Sequence, residues 1–237
     1  MPKTNIKVTL LAHTKDPEQT IVAAIRQCYS QKGGAELKET TKPELKEKLI
    51  KQIVSSGHTS TIEHASFTFA VEGVSRALTH QLVRHRVASY SQQSQRYVEE
   101  KTELDYIVPP KIEKNKEALK IYEEQIKQAH KIYQELIKLG ADKEDARYLL
   151  PNAAETKIVI TMNARELLHF FEKRLCTRAQ WEIRILASKM LQEAKKIAPI
   201  IFAHAGPTCE TQKICWEGDL SCGKWKNIKG AELKSRI

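Results

Sequence analysis

The sequence predicts a mixed α/β chain with three or four strands and more helix than sheet. Three observations carry that prediction. Short stretches at 5–11, 66–72 and 156–162 alternate apolar and polar residues, the period of half-buried strands. The stretch 113–139 instead places apolar residues at alternating steps of three and four, the stripe of a buried helix face. Size is the third: 237 residues, 41% hydrophobic and 29% charged, can bury roughly 70–75% of the extended surface without staples.

The elements follow in order. Ile6, Val8 and Leu10 mark the first strand. Asp16 is placed to cap a helix that opens at Pro17 and buries Ile21, Val22, Ile25 and Tyr29. Gly33 and Gly34 read as a loop, and a helix runs from Pro43 to about Val54 and stops at Gly57. Phe67, Phe69 and Val71 make the next strand, after which Ser75 caps a short helix ending near Arg86. Residues 87–97 carry no helical stripe and read as irregular and polar. Beyond Pro109 and Pro110, the stripe Leu119, Tyr122, Ile126, Ala129, Tyr133 and Leu136 defines the longest helix, which Gly140 ends. Asp142 starts a short helix closed by Pro151, and Ile158 and Ile160 mark another strand. Asn163 and Glu166 have capping-box spacing, so a helix begins at once. A last long helix fills 178–198, and a lysine-rich, glycine-punctuated tail follows Gly206.

Composition excludes several classes. The balance of apolar and charged residues is that of a globular chain, not of a disordered or collagen-like one. No apolar run reaches the ~18–20 residues a membrane span needs. The N-terminal stretch lacks a signal-peptide core, which predicts a cytoplasmic protein. Lys and Arg total 39 against 29 acids, a net charge of +10 that suggests an anionic partner. Five cysteines, an odd number in a reducing compartment, argue against a disulfide framework.

Residues 73–98 carry the chemistry. They hold Arg76, Arg84, Arg86 and Arg96 with two histidines, four serines and four glutamines, and contain no Asp, Glu or Lys. Guanidinium forks suit phosphate oxygens, and each charge-assisted bond is worth about 1.5–3 kcal/mol when partly desolvated. Arg84, His85 and Arg86 also suit a basic helix C-terminus, but that leaves the Ser/Gln tract ending at Arg96 unexplained. Its neutral donors and acceptors can read a base or a ribose while arginines hold phosphate.

Arg84-His85-Arg86, seven residues, then Ser94-Gln95-Arg96 resembles the signature of the flavin-dependent thymidylate synthases. So do Gly57-His58-Thr59-Ser60-Thr61-Ile62-Glu63-His64, Ala146-Arg147-Tyr148-Leu149-Leu150-Pro151, Asn163-Ala164-Arg165 with the helix to Arg174, and Ala179-Gln180-Trp181-Glu182-Ile183. Together these stretches cover about 5–205 in family order. The resemblance implies an α+β fold with a central, mainly antiparallel sheet flanked by helices. It also implies a catalytic domain over 1–205 with an appended tail over 206–237.

What it implies for function is specific. Such enzymes convert dUMP to dTMP with methylene-tetrahydrofolate as carbon donor and NADPH-reduced FAD as hydride source, without a cysteine nucleophile. Arg174 matches the catalytic arginine that polarises the uracil near N3 and O2, and also contacts substrate. Ser60, Arg84, His85, Arg86, Gln92, Asn163, Ala164, Arg165 and His169 match FAD-binding positions. Gln81, Arg84, Gln92, Gln93, Ser94, Gln95, Arg96 and Arg147 match dUMP positions. Gln92 stands where many members have glutamate, and Gln95 where many have glycine. The family is homotetrameric with shared active sites, and binds neither nucleic acid nor membrane.

Metal is not expected. His58 and His64 flank Glu63 without a third ligand at usual spacing. His204, Cys209, Cys215 and Cys222, beside Trp216 and Trp225, are spaced H-x4-C-x5-C-x6-C and lack a tight C-x2-C knuckle. Buried thiols around two tryptophans are the expectation, and Cys176 beside Arg174 reads as structural. The competing class is a nucleic-acid-binding protein using 73–98 as its contact surface, with only Tyr90 and Tyr97 to stack on bases.

Overall fold

The computed structural model describes residues 5–99 and 103–224; Trp225, part of the expectation for the tail, lies outside them. In chain order the elements are β1 (Lys7–His13), α1 (Pro17–Gln27), α2 (Gly34–Thr40), α3 (Pro43–Ser56), β2 (Ser66–Ser75), α4 (Arg76–Leu82) and β3 (Ala88–Gln92). These are followed by α5 (Pro110–Glu113), α6 (Lys116–Lys138), α7 (Lys143–Ala146), β4 (Glu155–Asn163), α8 (Ala164–Arg174), α9 (Trp181–Ile197) and α10 (Thr208–Thr211). The four strands form one antiparallel sheet in the order β1-β2-β4-β3, flanked by helices.

Most boundaries fall where the sequence places them, and the departures have physical reasons. The stretch 87–97 is not all irregular, because Ala88–Gln92 pairs as the edge strand β3. Its inward residues Ala88, Tyr90 and Gln92 are only half-buried, so a small and a polar side chain serve there and no apolar alternation marks the strand. Gly34 opens α2 instead of extending a loop. Asp16 accepts at the start of α1 through its backbone carbonyl, from Thr20 N at 3.0 Å, and its side chain makes no capping bond. Its φ of 49° turns the carboxylate away from the usual capping position. Tyr29 lies beyond the end of α1 and is exposed.

The chain divides into two compact units. One comprises Met1–Lys7, Ala70–Arg84 and Tyr90–Val159. Its core is Leu104, Tyr106, Val108, Ile126 and Ala154, with Leu119 and Tyr122 of the α6 stripe packed against it. Tyr122 donates its hydroxyl to Ile107 O at 2.7 Å, so the aromatic body is buried while the polar tip is satisfied. Gly73 has φ 70°, and a Cβ there would meet Asn5 O at 2.2 Å. Only glycine fits that approach, and Gly73 N donates to Glu155 Oε1 at 2.8 Å.

The other unit comprises Val8–Phe69, His85–Ser89 and Ile160–Ile237. Here α1 packs on α2 and α3, and α8 packs on α9. Phe67, Phe171 and Phe202 meet edge to face, with Phe202 5.5 Å from Phe67 and 5.8 Å from Phe171 between ring centroids. Each fully buried phenylalanine of this kind contributes about 1.5–3 kcal/mol. Glu18, buried, accepts from Ile200 N at 2.6 Å and so ties α1 to the chain just after α9.

Candidate active site

In the second unit the site is built where β4 passes directly into α8. Asn163 ends the strand, and its Oδ1 accepts from Glu166 N at 2.9 Å, an N-cap that fixes the helix start. Glu166 does not fold back onto the cap as a capping box would. Its carboxylate, largely buried, meets His85 Nδ1 at 2.9 Å and His169 Nδ1 at 3.3 Å. At the far end of α8, Arg174 Nε donates to His85 Nε2 at 3.1 Å. An arginine Nε can only donate, so His85 Nε2 accepts, which places the ring proton on Nδ1, donating to Glu166. The result is a chain from Glu166 through neutral His85 to the Arg174 guanidinium.

Electrostatics agree with that tautomer. Burial holds the His85 pKa below the ordinary histidine value, Glu166 opposes the shift, and Arg174 and His169 reinforce it. His85, Glu166 and His169 bring ligand-type atoms within 4.8 Å of one another. Both His85 nitrogens are engaged, however, and the Arg174 cation sits at one of them, which disfavours a metal ion there.

The second unit also holds Ser60, Arg86, Ala164 and Arg165, which resemble cofactor contacts. Arg86, next after buried His85, is exposed, and Ser60 is exposed on the turn of 3-10 helix Thr59–His64. Arg165 is exposed and bonds Glu63 Oε1 at 2.5 Å. Ala164 is buried, with its N–H donated to Ala65 O at 2.7 Å. His58 and His64 are exposed and belong to no compact ligand set among the described residues.

The first unit holds the positions, apart from Arg174, that resemble substrate contacts. Arg76 donates to Gln93 O at 3.2 Å, and burial together with the Arg147 charge weakens its hold on its proton. Two guanidinium groups near enough to repel each other are a natural anion site. Gln92 Nε2 donates to Thr79 Oγ1 and Thr156 Oγ1, each at 3.2 Å. A carboxylate at 92 would need those hydroxyls as donors, so glutamine reverses the direction of both bonds. Ser94 Oγ accepts from Arg96 N at 3.2 Å and shapes the turn at Gln95, while Arg96 Nε donates to Glu144 at 2.7 Å. Arg147 Nε bonds Glu144 O at 3.1 Å, so one short helix orients both arginines. Gln81 is half-buried on α4, and Arg84 follows that helix, exposed.

Sequence reasoning gave three partners no role in the site. Glu166 was legible only as a cap residue, although its place three residues before His169 on one helix face was a signal. Arg76 lay inside the acid-free run without a motif of its own. Glu144 had no signal at all, because its pairing with Arg96 spans 48 positions.

A sequence profile of the family described as thymidylate synthase complementing protein, Thy1, matches residues 9–200. A flavin-dependent thymidylate synthase of Clostridium tetani is 49% identical, with 94% of this chain and 96% of the relative covered. The chain belongs to the flavin-dependent thymidylate synthase family. Family relatives of the same description from Geobacter sulfurreducens and Pyrococcus furiosus are 49% and 46% identical, covering 94% and 97% of this chain and 97% and 100% of theirs. A crystal structure of PolB, a UMP/dUMP methylase from Streptomyces cacaoi bound with 5-Br dUMP, shares the fold of this family member. It superposes with a TM-score of 0.77 at 23% identity, over 85% of this chain and 94% of the other.

Proposed function

We propose that this chain is an FAD-dependent methyltransferase that converts dUMP to dTMP, with methylene-tetrahydrofolate as carbon donor and NADPH as reductant. Family membership at near-half identity over almost the whole chain supports the reading. The observation that carries it is the fixed orientation of Arg174 through His85 and Glu166.

The residues present suit an FAD. Exposed guanidinium groups of Arg84, Arg86 and Arg165 match a diphosphate, and the Asn163 junction presents a helix start to a polar group. With Ser60, His85, Gln92, Ala164 and His169 they form the proposed cofactor set. Bound FAD supplies the carrier that accepts a hydride equivalent from NADPH and delivers it to the pyrimidine. Gln81, Arg84, Gln92, Gln93, Ser94, Gln95, Arg96 and Arg147 form the proposed dUMP set, in which Arg96 exchanges Glu144 for the phosphate. Arg174 holds its charge against N3 and O2 of the uracil as negative charge develops there, making C5 nucleophilic without a thiol. Preorganisation through Nε is what makes that charge effective, since nothing has to reorient during reaction.

The catalytic portion is proposed to span 1–205, with 206–237 appended, and the working form to be a cytoplasmic homotetramer in which each site draws on several protomers. Among the described residues no helix is long and apolar enough to cross a membrane. The visible spectrum tests the proposal: purified protein should be yellow, bleach with NADPH, and form dTMP only when both dUMP and methylene-tetrahydrofolate are present. A colourless protein whose affinity for DNA falls steeply with salt would contradict it.

A further inference from the structure

Four of the five cysteines line one cavity of about 130 Å³ in the second unit. Cys176 follows α8, and Cys209, Cys215 and Cys222 come from the C-terminal stretch. Cys28, the fifth, is exposed at the end of α1. His204, which sequence spacing groups with the tail thiols, lines a different cleft beside Gly57 and Gln212. The fold therefore replaces that histidine with a fourth sulfur, from a position 33 residues before Cys209.

The stretch that carries three of these thiols has no core of its own. From Glu210 to Lys224 every residue is half-buried or exposed, and its regular structure is the last turn of α10 and the 3-10 turn Gly218–Leu220. It nonetheless bends back through left-handed residues at Lys213, Gly218 and Gly223, and returns Cys215 and Cys222 to the wall that holds Cys176. A loop-rich segment without apolar burial needs a cross-link to hold such a path. The cysteines are all free thiols, so no disulfide supplies it.

We propose that Cys176, Cys209, Cys215 and Cys222 ligate a soft divalent cation, Zn²⁺, which staples the C-terminal stretch to the end of α8. Four thiolates are a preferred tetrahedral set for zinc, with Zn–S near 2.3 Å. Among the described residues no three of the sulfurs come within 4.8 Å of one another, so binding must draw them together, and the absence of buried side chains after Cys209 leaves the stretch room to close. A dication at this wall would hold the four sulfurs as thiolates. On binding, the thiols lose their protons to solvent and no electrons are transferred.

The test uses the full chain with its flavin, reduced by a phosphine in metal-free buffer and titrated with Co²⁺ and then Zn²⁺. The d–d bands of tetrahedral thiolate cobalt lie to the red of oxidised flavin, so the cofactor does not obscure them. They should saturate at one ion per chain and vanish as Zn²⁺ displaces Co²⁺. Cys176→Ser and Cys222→Ser should weaken binding at least ~10–100-fold, the loss expected even for an outer-shell partner; Cys28→Ser should leave it unchanged. Bound flavin reports that each variant is folded. As a second readout, Zn²⁺ should protect Cys209, Cys215 and Cys222, but not Cys28, from alkylation. Absence of the bands in the wild-type chain, equal weakening by Cys28→Ser, or alkylation indifferent to Zn²⁺ would each overturn the proposal.

Discussion

Arg174 is oriented by a hydrogen-bond chain whose origin is a carboxylate on the same helix. Glu166 holds His85 as the Nδ1–H tautomer, and His85 Nε2 receives the Arg174 Nε proton. Replacing Glu166 with glutamine should therefore lower kcat roughly 10–150-fold, the effect of losing about 1.5–3 kcal/mol at a charged hydrogen bond. Flavin content and the KM for dUMP should change far less, and steady-state kinetics at matched flavin loading checks this. The pH dependence follows from the same chain. Because folding lowers the His85 pKa, the unfolded chain takes the proton first as pH falls. Stability is then complete above the ordinary histidine value of about 6.5 and declines as pH drops below it toward the folded pKa. Urea unfolding of wild type and His85→Gln over about pH 5–8 should show a shallower acid slope in the variant. Equal slopes would remove His85 from the account.

The elements were legible in proportion to how local their signals are. The α6 stripe, the stop at Gly57 and the Asn163 cap rest on residues within a turn or two, and each stands as read. Strand β3 was hidden because an edge strand is pinned by its neighbour β4, a pairing that continues just past its end where Gln93 N donates to Lys157 O at 2.9 Å. The acid-free run 73–98 was a true reading of the sequence but an incomplete reading of the site. Tertiary structure brings Glu144 to Arg96 and Glu166 to His85, neither visible in local composition. Two substitutions probe this level. Asn163→Ala should destabilise the chain by about 1 kcal/mol through the lost cap. Gly73→Ala should cost more, because the added methyl would meet Asn5 O at 2.2 Å in a left-handed backbone. Thermal midpoints of both variants decide the order.

Across the whole molecule, large apolar side chains stand exposed beside the arginines assigned to ligands. Val83 and Val87 bracket Arg84 and Arg86, Tyr97 follows Arg96, and Tyr148 and Leu149 follow Arg147; Tyr148 is 83% exposed. Exposed apolar residues that recur next to the proposed binding positions fit the proposed assembly, in which other protomers complete each site. Light scattering should give four chains per particle, and Tyr148→Asp with Leu149→Asp should lower both particle mass and flavin occupancy. A monomer with full flavin content would contradict shared sites.

The most direct measurement compares dTMP formation by wild type and Arg174→Ala at equal bound flavin, with dUMP, methylene-tetrahydrofolate and NADPH all saturating. Loss of one preorganised charge predicts a fall of about 10²–10³ in kcat, while NADPH still bleaches the flavin of the variant. Unchanged turnover by Arg174→Ala would contradict the account.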